Sequence, residues 1–267
     1  MSEQALYAID GPRFVPAELT RGPWDPRAQH GGPPSALLAR AIARHEDGER
    51  MITTRVTVEL MRPVPLRPLT LAVRFARPGK RVQLVEASLR DDDVEVARAV
   101  GLRLRRDDVP LPDGPLQPAL PAPLPPEQGR DRGDRSQQGE AVQFHLVAVE
   151  HRVVAGAFEE PGPATNWIRV RHPLIAGEET SGLCRAMMAA DFGNGLGSVL
   201  SRGDGYTFIN PDLTVYLHRH PVGEWICLDA RSEVSPRGVG LAESRLWDVE
   251  GPIGRSLQSL LIDRRAP

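Results

Sequence analysis

The sequence predicts an α+β chain built from two copies of one unit, each a helix followed by a run of antiparallel strands. Two observations carry this. VTVELMRPVP at 56–65 is matched by LTVYLHRHPV at 213–222, and each is followed by three further alternating segments of similar length and order. Between the copies, from Asp107 to Glu140, the chain is rich in Pro, Gly and charge and has no periodicity, as an extended connection requires.

The elements follow in order. Pro33 and Pro34 open the segment SALLARAIARHE, whose Leu37, Leu38, Ala41 and Ile42 recur at helical spacing. Proline suits a first turn because the N–H it lacks would be unpaired there. Strands are expected over 56–65, 69–76, 81–89 and 94–105, with turns at RPGK and RDDD. The second helix is expected over Thr180–Asp191, ended by Phe192-Gly193-Asn194-Gly195, with a long loop near 195–207. Its strands are expected over 213–222, 224–234, 238–247 and 254–262. This organises the chain as an N-terminal unit 1–110, a linker 111–140 and a C-terminal unit 141–267.

Composition bounds the partners. The 267 residues carry 33 basic and 35 acidic side chains, a formal charge of −2, which gives no electrostatic case for nucleic acid or an anionic membrane. Cys184 and Cys227 stand without a CxxC or Cys/His cluster, so neither a disulfide framework nor a structural zinc site is expected. The N-terminal MSEQALYAIDGP has no basic segment leading into an apolar run, and no stretch of about 18 apolar residues occurs. A soluble cytoplasmic protein is the expectation.

The order HGGxxxxALL, VxLMRPV, a PGK turn, NPDLTVYLHR, a PRG turn and GRSLQSLLIDR resembles the type II acyl-CoA thioesterases over nearly the whole chain except the linker. The resemblance implies a tandem (double) hot-dog fold, two antiparallel sheets each wrapping a central helix. It also implies hydrolysis of a fatty acyl-CoA without metal or cofactor, with an Asp, a Ser or Thr and a Gln activating water. Carried over by position, the Asp is Asp212 and the Gln is Gln258. Copy one has Arg55 at the position corresponding to Asp212 and Gly101 near that of Gln258, so one site per chain is expected. For the hydroxyl, counting back from Arg237-Gly238 places Arg231 where the family has Thr, whereas a one-residue deletion places Ser232 there. Successive strand residues face opposite sides, so only one of the two can face the site.

Thioester hydrolysis requires a water, a base for its proton and donors for the oxyanion. Gly31 and Gly32, beside the first helix, are the candidate oxyanion donors, since glycine permits close backbone approach. His30, Asn194 and, if it faces inward, Arg231 are candidate substrate contacts; Asp191 and Asn194 either cap the second helix or line the pocket. Trp24 is expected as a packing anchor. Two other functions remain open on the sequence. Asp25 and His30, spaced as in hot-dog enoyl-CoA hydratases, offer a hydratase or dehydratase; the loss of the family's Thr offers a non-catalytic acyl-thioester binder. The acyl tunnel is expected between helix and sheet, lined by Leu37, Met187 and Met188. Arg62, Arg77, Lys80 and Arg81 are available to CoA phosphates, although each is by default a solvated surface charge. The substrate is an acyl-CoA or acyl-carrier thioester, and a homodimer that covers edge strands is expected.

Overall fold

The computed structural model describes residues 4–46, 48–114, 120–133, 142–157, 160–201, 203 and 205–264. The chain begins with a hairpin, β1 (Tyr7–Asp10) and β2 (Arg13–Pro16), which leads to helix α1 (Gly32–Arg44). Strands β3 (Met51–Leu60), β4 (Leu69–Arg77), β5 (Val82–Asp91) and β6 (Val94–Arg105) complete the first copy. After β7 (Arg130–Asp131) and a π-helical turn at Phe144–Ala148 come β8 (Val149–Ala155) and β9 (Ala164–Val170). Helices α2 (Gly182–Ala190) and α3 (Gly193–Leu196) follow, then β10 (Tyr206–Ile209), β11 (Asp212–Leu217), β12 (Ile226–Ser235), β13 (Val239–Asp248) and β14 (Gly251–Arg264).

The duplication is visible in the strand order. The described strands form one antiparallel sheet, β1-β2-β4-β5-β6-β3-β11-β14-β13-β12-β9-β8-β7, with β10 on β14. Read toward the centre, copy one contributes β4-β5-β6-β3 and copy two β12-β13-β14-β11, the same order. The central ladder pairs Val56 with Val215, Thr57 with Thr214 and Val58 with Leu213. Thr57 and Thr214 are the equivalent residues of the two repeats, so the sheet is symmetric about their pairing. Their hydroxyls are hydrogen-bonded at 3.2 Å. The two expected sheets are therefore joined edge to edge into one, because β3 and β11 use each other's free ladder groups.

Helix α1 packs on β3, β4, β5 and β6, and α2 packs on β9, β11, β12 and β13. Strand β5 alternates buried and half-buried residues along its length, as a strand with one face on the core does. The helices also pack on each other through small residues: Ala36, Ala39, Ala186 and Ala189 are buried, and the Cys184 thiol reaches the Ala36 carbonyl at 3.6 Å. Both cysteines are free and buried. Ser181 caps α2, its hydroxyl accepting from Cys184 N. At the other helix the fully buried Arg103 donates to the Ile42 and His45 carbonyls at 3.1 and 2.6 Å, which satisfies the end of α1 and complements its dipole.

The linker expected at 111–140 lies partly outside the described residues. Its described part is more ordered than expected: β7 pairs with β8, and the Leu124 carbonyl accepts from the Trp167 indole at 2.7 Å. No helix among the described residues is long and apolar enough to cross a membrane.

Candidate active site

The two helices meet end to side, the start of α1 against the end of α2, and glycine makes the approach possible. A Cβ on Gly31 would stand 2.8 and 3.0 Å from the two Asp191 carboxylate oxygens, and one on Gly32 would stand 2.8 Å from the Met188 carbonyl. Asp191, the residue that follows α2, is thereby carried under the start of α1. Its side chain is 5% exposed and gathers donors from four segments. His30 Nδ1 lies 2.8 Å from Oδ2; Asn210 Nδ2 donates to Oδ1 at 2.9 Å and Gln258 Nε2 at 3.4 Å; the Gly32 N–H is the fourth donor. Burial pushes the carboxyl up, but His30, Asn210 and Gly32 outweigh it and hold it below its ordinary value.

Gln258 stands behind this group on β14. Its carbonyl accepts from Asn194 N at 2.9 Å, and Asn194 Nδ2 donates to the Phe208 carbonyl at 2.7 Å. Beneath α3 three polar atoms, Asn194 Oδ1, Ser232 Oγ and Ser244 Oγ, are buried without a hydrogen-bond partner. A Cβ on Gly193 would lie 2.8 Å from Ser244 Oγ and 3.1 Å from Gln258 Oε1, which makes Ser244 a hydroxyl neighbouring Gln258. Ser232 lies on the same sheet face but two strands over, in the row Ser232, Ala242, Gln258, about 10 Å away at ordinary strand spacing.

A cavity of about 1010 Å³ opens on this cluster. Asp191, His30, Gly31 and Asn194 reach it from the helix ends, and Trp24 and Phe208 form part of an aromatic wall, edge to face at 5.7 Å. His30 is held between the rings of Phe144 and Phe192, at 5.1 and 4.8 Å. Nearby, His151 is fully buried, accepts from Asn166 Nδ2 at 2.8 Å, and is pushed by burial down to about 3.

The sequence candidates sort as follows. His30, Gly31, Asn194 and Gln258 come together. Gly32 supports the group with its N–H. Asp212 does not reach it: the side chain accepts from Ser259 N at 2.6 Å across the β11–β14 ladder and extends that pairing. Asp191, on the sequence either a cap or a pocket residue, lies with His30, Asn210 and Gln258 and borders the cavity. Ser232 faces inward and Arg231 outward, where it pairs with Glu243 at 60% exposure, away from the residues that border the cavity. Asp25 is spent on the backbone and guanidinium of Arg27, and His30 pairs with Asp191 instead. Leu37, Met187 and Met188 are fully buried in packing and line no tunnel. Trp24 is a cavity-rim residue rather than a packing anchor. Of the four basic candidates Arg62 borders the cavity. Two further residues join the site: Asn210, which opens the NPDLTVYLHR run, and Ser244, which lies in no motif; their proximity to Asp191 and Gln258 marks them.

Copy one is filled at the corresponding place. Gly101, the counterpart of Gln258, leaves room for the Ile42 side chain of α1, which fills the space a Gln would need.

Residues 20–104 match the family described as the acyl-CoA thioesterase N-terminal domain, and residues 118–262 match its C-terminal domain. The chain belongs to the acyl-CoA thioesterase family. It is therefore a thioester hydrolase by class. Among solved structures it is similar to a putative thioesterase II from Thermobifida fusca, at 16% identity and a TM-score of 0.75 over 98% of this chain and 96% of the other. It is similar also to the acyl-CoA thioesterase II TesB2 of Mycobacterium marinum, at 16% identity and TM-score 0.70 over 100% and 97%. A hot-dog-fold protein of unknown function from Alicyclobacillus acidocaldarius matches at 14% identity and TM-score 0.69 over 98% and 96%. These likenesses show the fold, which is hot-dog. No curated protein matches the sequence.

Proposed function

We propose that this chain hydrolyses an acyl-CoA or acyl-carrier thioester in the cavity at the α1–α2 junction, with Asp191, rather than Asp212, at the centre of the site. The observation that carries this is the Asp191 carboxylate, buried, held below its ordinary pKa by His30, Asn210 and Gly32 against the cost of burial, and bordering a cavity of about 1010 Å³. Buried charges are costly unless paired, and one at a cavity wall is a functional-site candidate.

The remaining parts fit the reaction. Pro33 and Pro34 have no N–H and Gly32 N–H is committed to Asp191, so the donor left at the start of α1 is Gly31 N–H, which makes no hydrogen bond among the described residues. We assign it to the developing oxyanion, where one such donor is worth about 10²–10³ in rate. Gln258 fixes the start of α3 by accepting from the Asn194 backbone N–H, which holds Asn194 beside the cavity. The acyl group lies against the Trp24–Phe208 wall.

The test is thiol release from a panel of acyl-CoA thioesters of increasing length, including an arylacyl member. Turnover of at least one supports the reading. No release from any, with CoA binding retained, overturns it.

A further inference from the structure

We propose that His30 is the general base of this reaction: its Nε2 takes the proton of the attacking water, and Asp191 acts through His30 as a positioning residue. The proposal rests on the thioesterase reading above but concerns a different atom. A carboxylate presents two lone-pair directions on each oxygen, four in all. Those of Asp191 face His30 Nδ1, Gly32 N–H, Asn210 Nδ2 and Gln258 Nε2, so none is left for water. His30, Asn210 and Gly32, which hold this carboxyl below its ordinary value, also make it a weak base.

The hydrogen-bond network fixes the imidazole tautomer. Gly32 N lies 3.1 Å from His30 Nδ1 as well as within reach of the carboxylate. Were Nδ1 to accept from Gly32, its lone pair would face an ionised oxygen 2.8 Å away. The consistent assignment puts the proton on Nδ1, donating to Asp191, and turns Gly32 N–H to the carboxylate. The lone pair then sits on Nε2. Nε2 makes no hydrogen bond among the described residues and is not among the sealed polar atoms, while His30 lines the cavity. The Phe144 and Phe192 rings hold the imidazole in place. An imidazole with one nitrogen on a buried carboxylate and the other open to a cavity is the arrangement general-base catalysis requires.

The step balances. A water O–H proton passes to Nε2 as the water oxygen forms a bond to the thioester carbon, and the carbonyl π pair moves onto oxygen, facing Gly31 N–H. When the C=O re-forms, the C–S bond breaks, the electron pair leaves on sulfur, and the imidazolium returns its proton to the thiolate. The products are one carboxylic acid and one thiol. Charged or titratable neighbours are Asp191 after α2, His145 and His151 from the π turn and β8, and Arg132 beside β7.

Two readouts on the full-length chain test this. Long-range ¹H–¹⁵N NMR of the neutral imidazole should show the proton on Nδ1, with the Nε2–H form appearing in Asp191→Asn; an Nε2–H resting form in the unaltered protein overturns the proposal whether or not the variants fold. In kcat/KM against pH the unaltered enzyme should show an acid limb of one proton. His30→Gln should fall about 10²–10⁴-fold with KM within threefold and lose that limb, and His30→Ala should regain rate with added imidazole. A His30→Gln enzyme that keeps the limb and at least a third of the rate overturns it. Should the unaltered protein hydrolyse no thioester, the hydrolase reading fails on its own, and the tautomer still decides the dyad.

Discussion

Gly31→Ala isolates the geometry of the site from the stability of the fold. Gly31 has φ −64° and ψ −23°, right-handed helical values that alanine adopts freely, so the substitution costs nothing in backbone conformation. The added methyl would lie 2.8 and 3.0 Å from the Asp191 oxygens, and ordinary carbon–oxygen contact requires about 0.5 Å more. The carboxylate must move, which stretches its bonds to His30 and Asn210 together. Overpacking of this size costs about 1–3 kcal/mol, and misplacing a reacting group by up to about 1 Å costs about 10²-fold in rate. Thiol release should therefore drop roughly a hundredfold, while thermal denaturation shifts down by about 2–10 °C. Gly32→Ala should behave differently, because its methyl meets the Met188 backbone carbonyl, which cannot turn aside. That variant should lose more stability than Gly31→Ala. A Gly31→Ala enzyme with at least a third of the parental rate would refute the claim that the Asp191 position matters.

Three further outcomes are expected. Asp248 is fully buried and receives Arg219 at 2.5 and 2.6 Å together with the backbone N–H of Val222, Glu250 and Gly251, so Asp248→Ala should cost about 3 kcal/mol and lower Tm by roughly 6–12 °C in a calorimetric scan. His151, pushed by burial to about 3, binds fewer protons folded than unfolded between that value and about 6.5; stability should fall by roughly 3–5 kcal/mol as pH drops through this window, and denaturant titrations of His151→Gln should show a flatter profile. Ser244→Ala removes a hydroxyl neighbouring Gln258 and should lower kcat more than Ser232→Ala, which acts two strands away; equal effects in steady-state kinetics would count against that ordering.

Much of the fold was legible because the repeat is a strand pattern. The alignment of Thr57 with Thr214 in the sequence became a direct cross-strand pair in the sheet, and the α1 periodicity of Leu37, Leu38 and Ile42 became its buried face. The joining of two sheets into one was not legible, since an edge strand carries no mark in its side chains that names its partner. The site divided along a similar line. Gln258 and Gly31 could be placed from order along the chain. Asp212 was placed by the same counting, yet its side chain extends a ladder, whereas Asp191, at a helix end, had an adequate local explanation as a cap. What distinguishes the two is burial and the company of His30, Asn210 and Gln258, drawn from distant segments. The choice between Arg231 and Ser232 turned on strand register, which side-chain parity alone left two-valued until the β12–β13 pairing fixed it.

The most direct measurement is single-turnover hydrolysis of one accepted acyl-CoA by the unaltered enzyme beside Asp191→Asn and Asp212→Asn. The account predicts a fall of about a hundredfold or more in Asp191→Asn, the range lost when the general base is no longer positioned, and a rate within threefold of the parent in Asp212→Asn. The reverse ranking would contradict it and move the site from the α1–α2 junction to the start of β11.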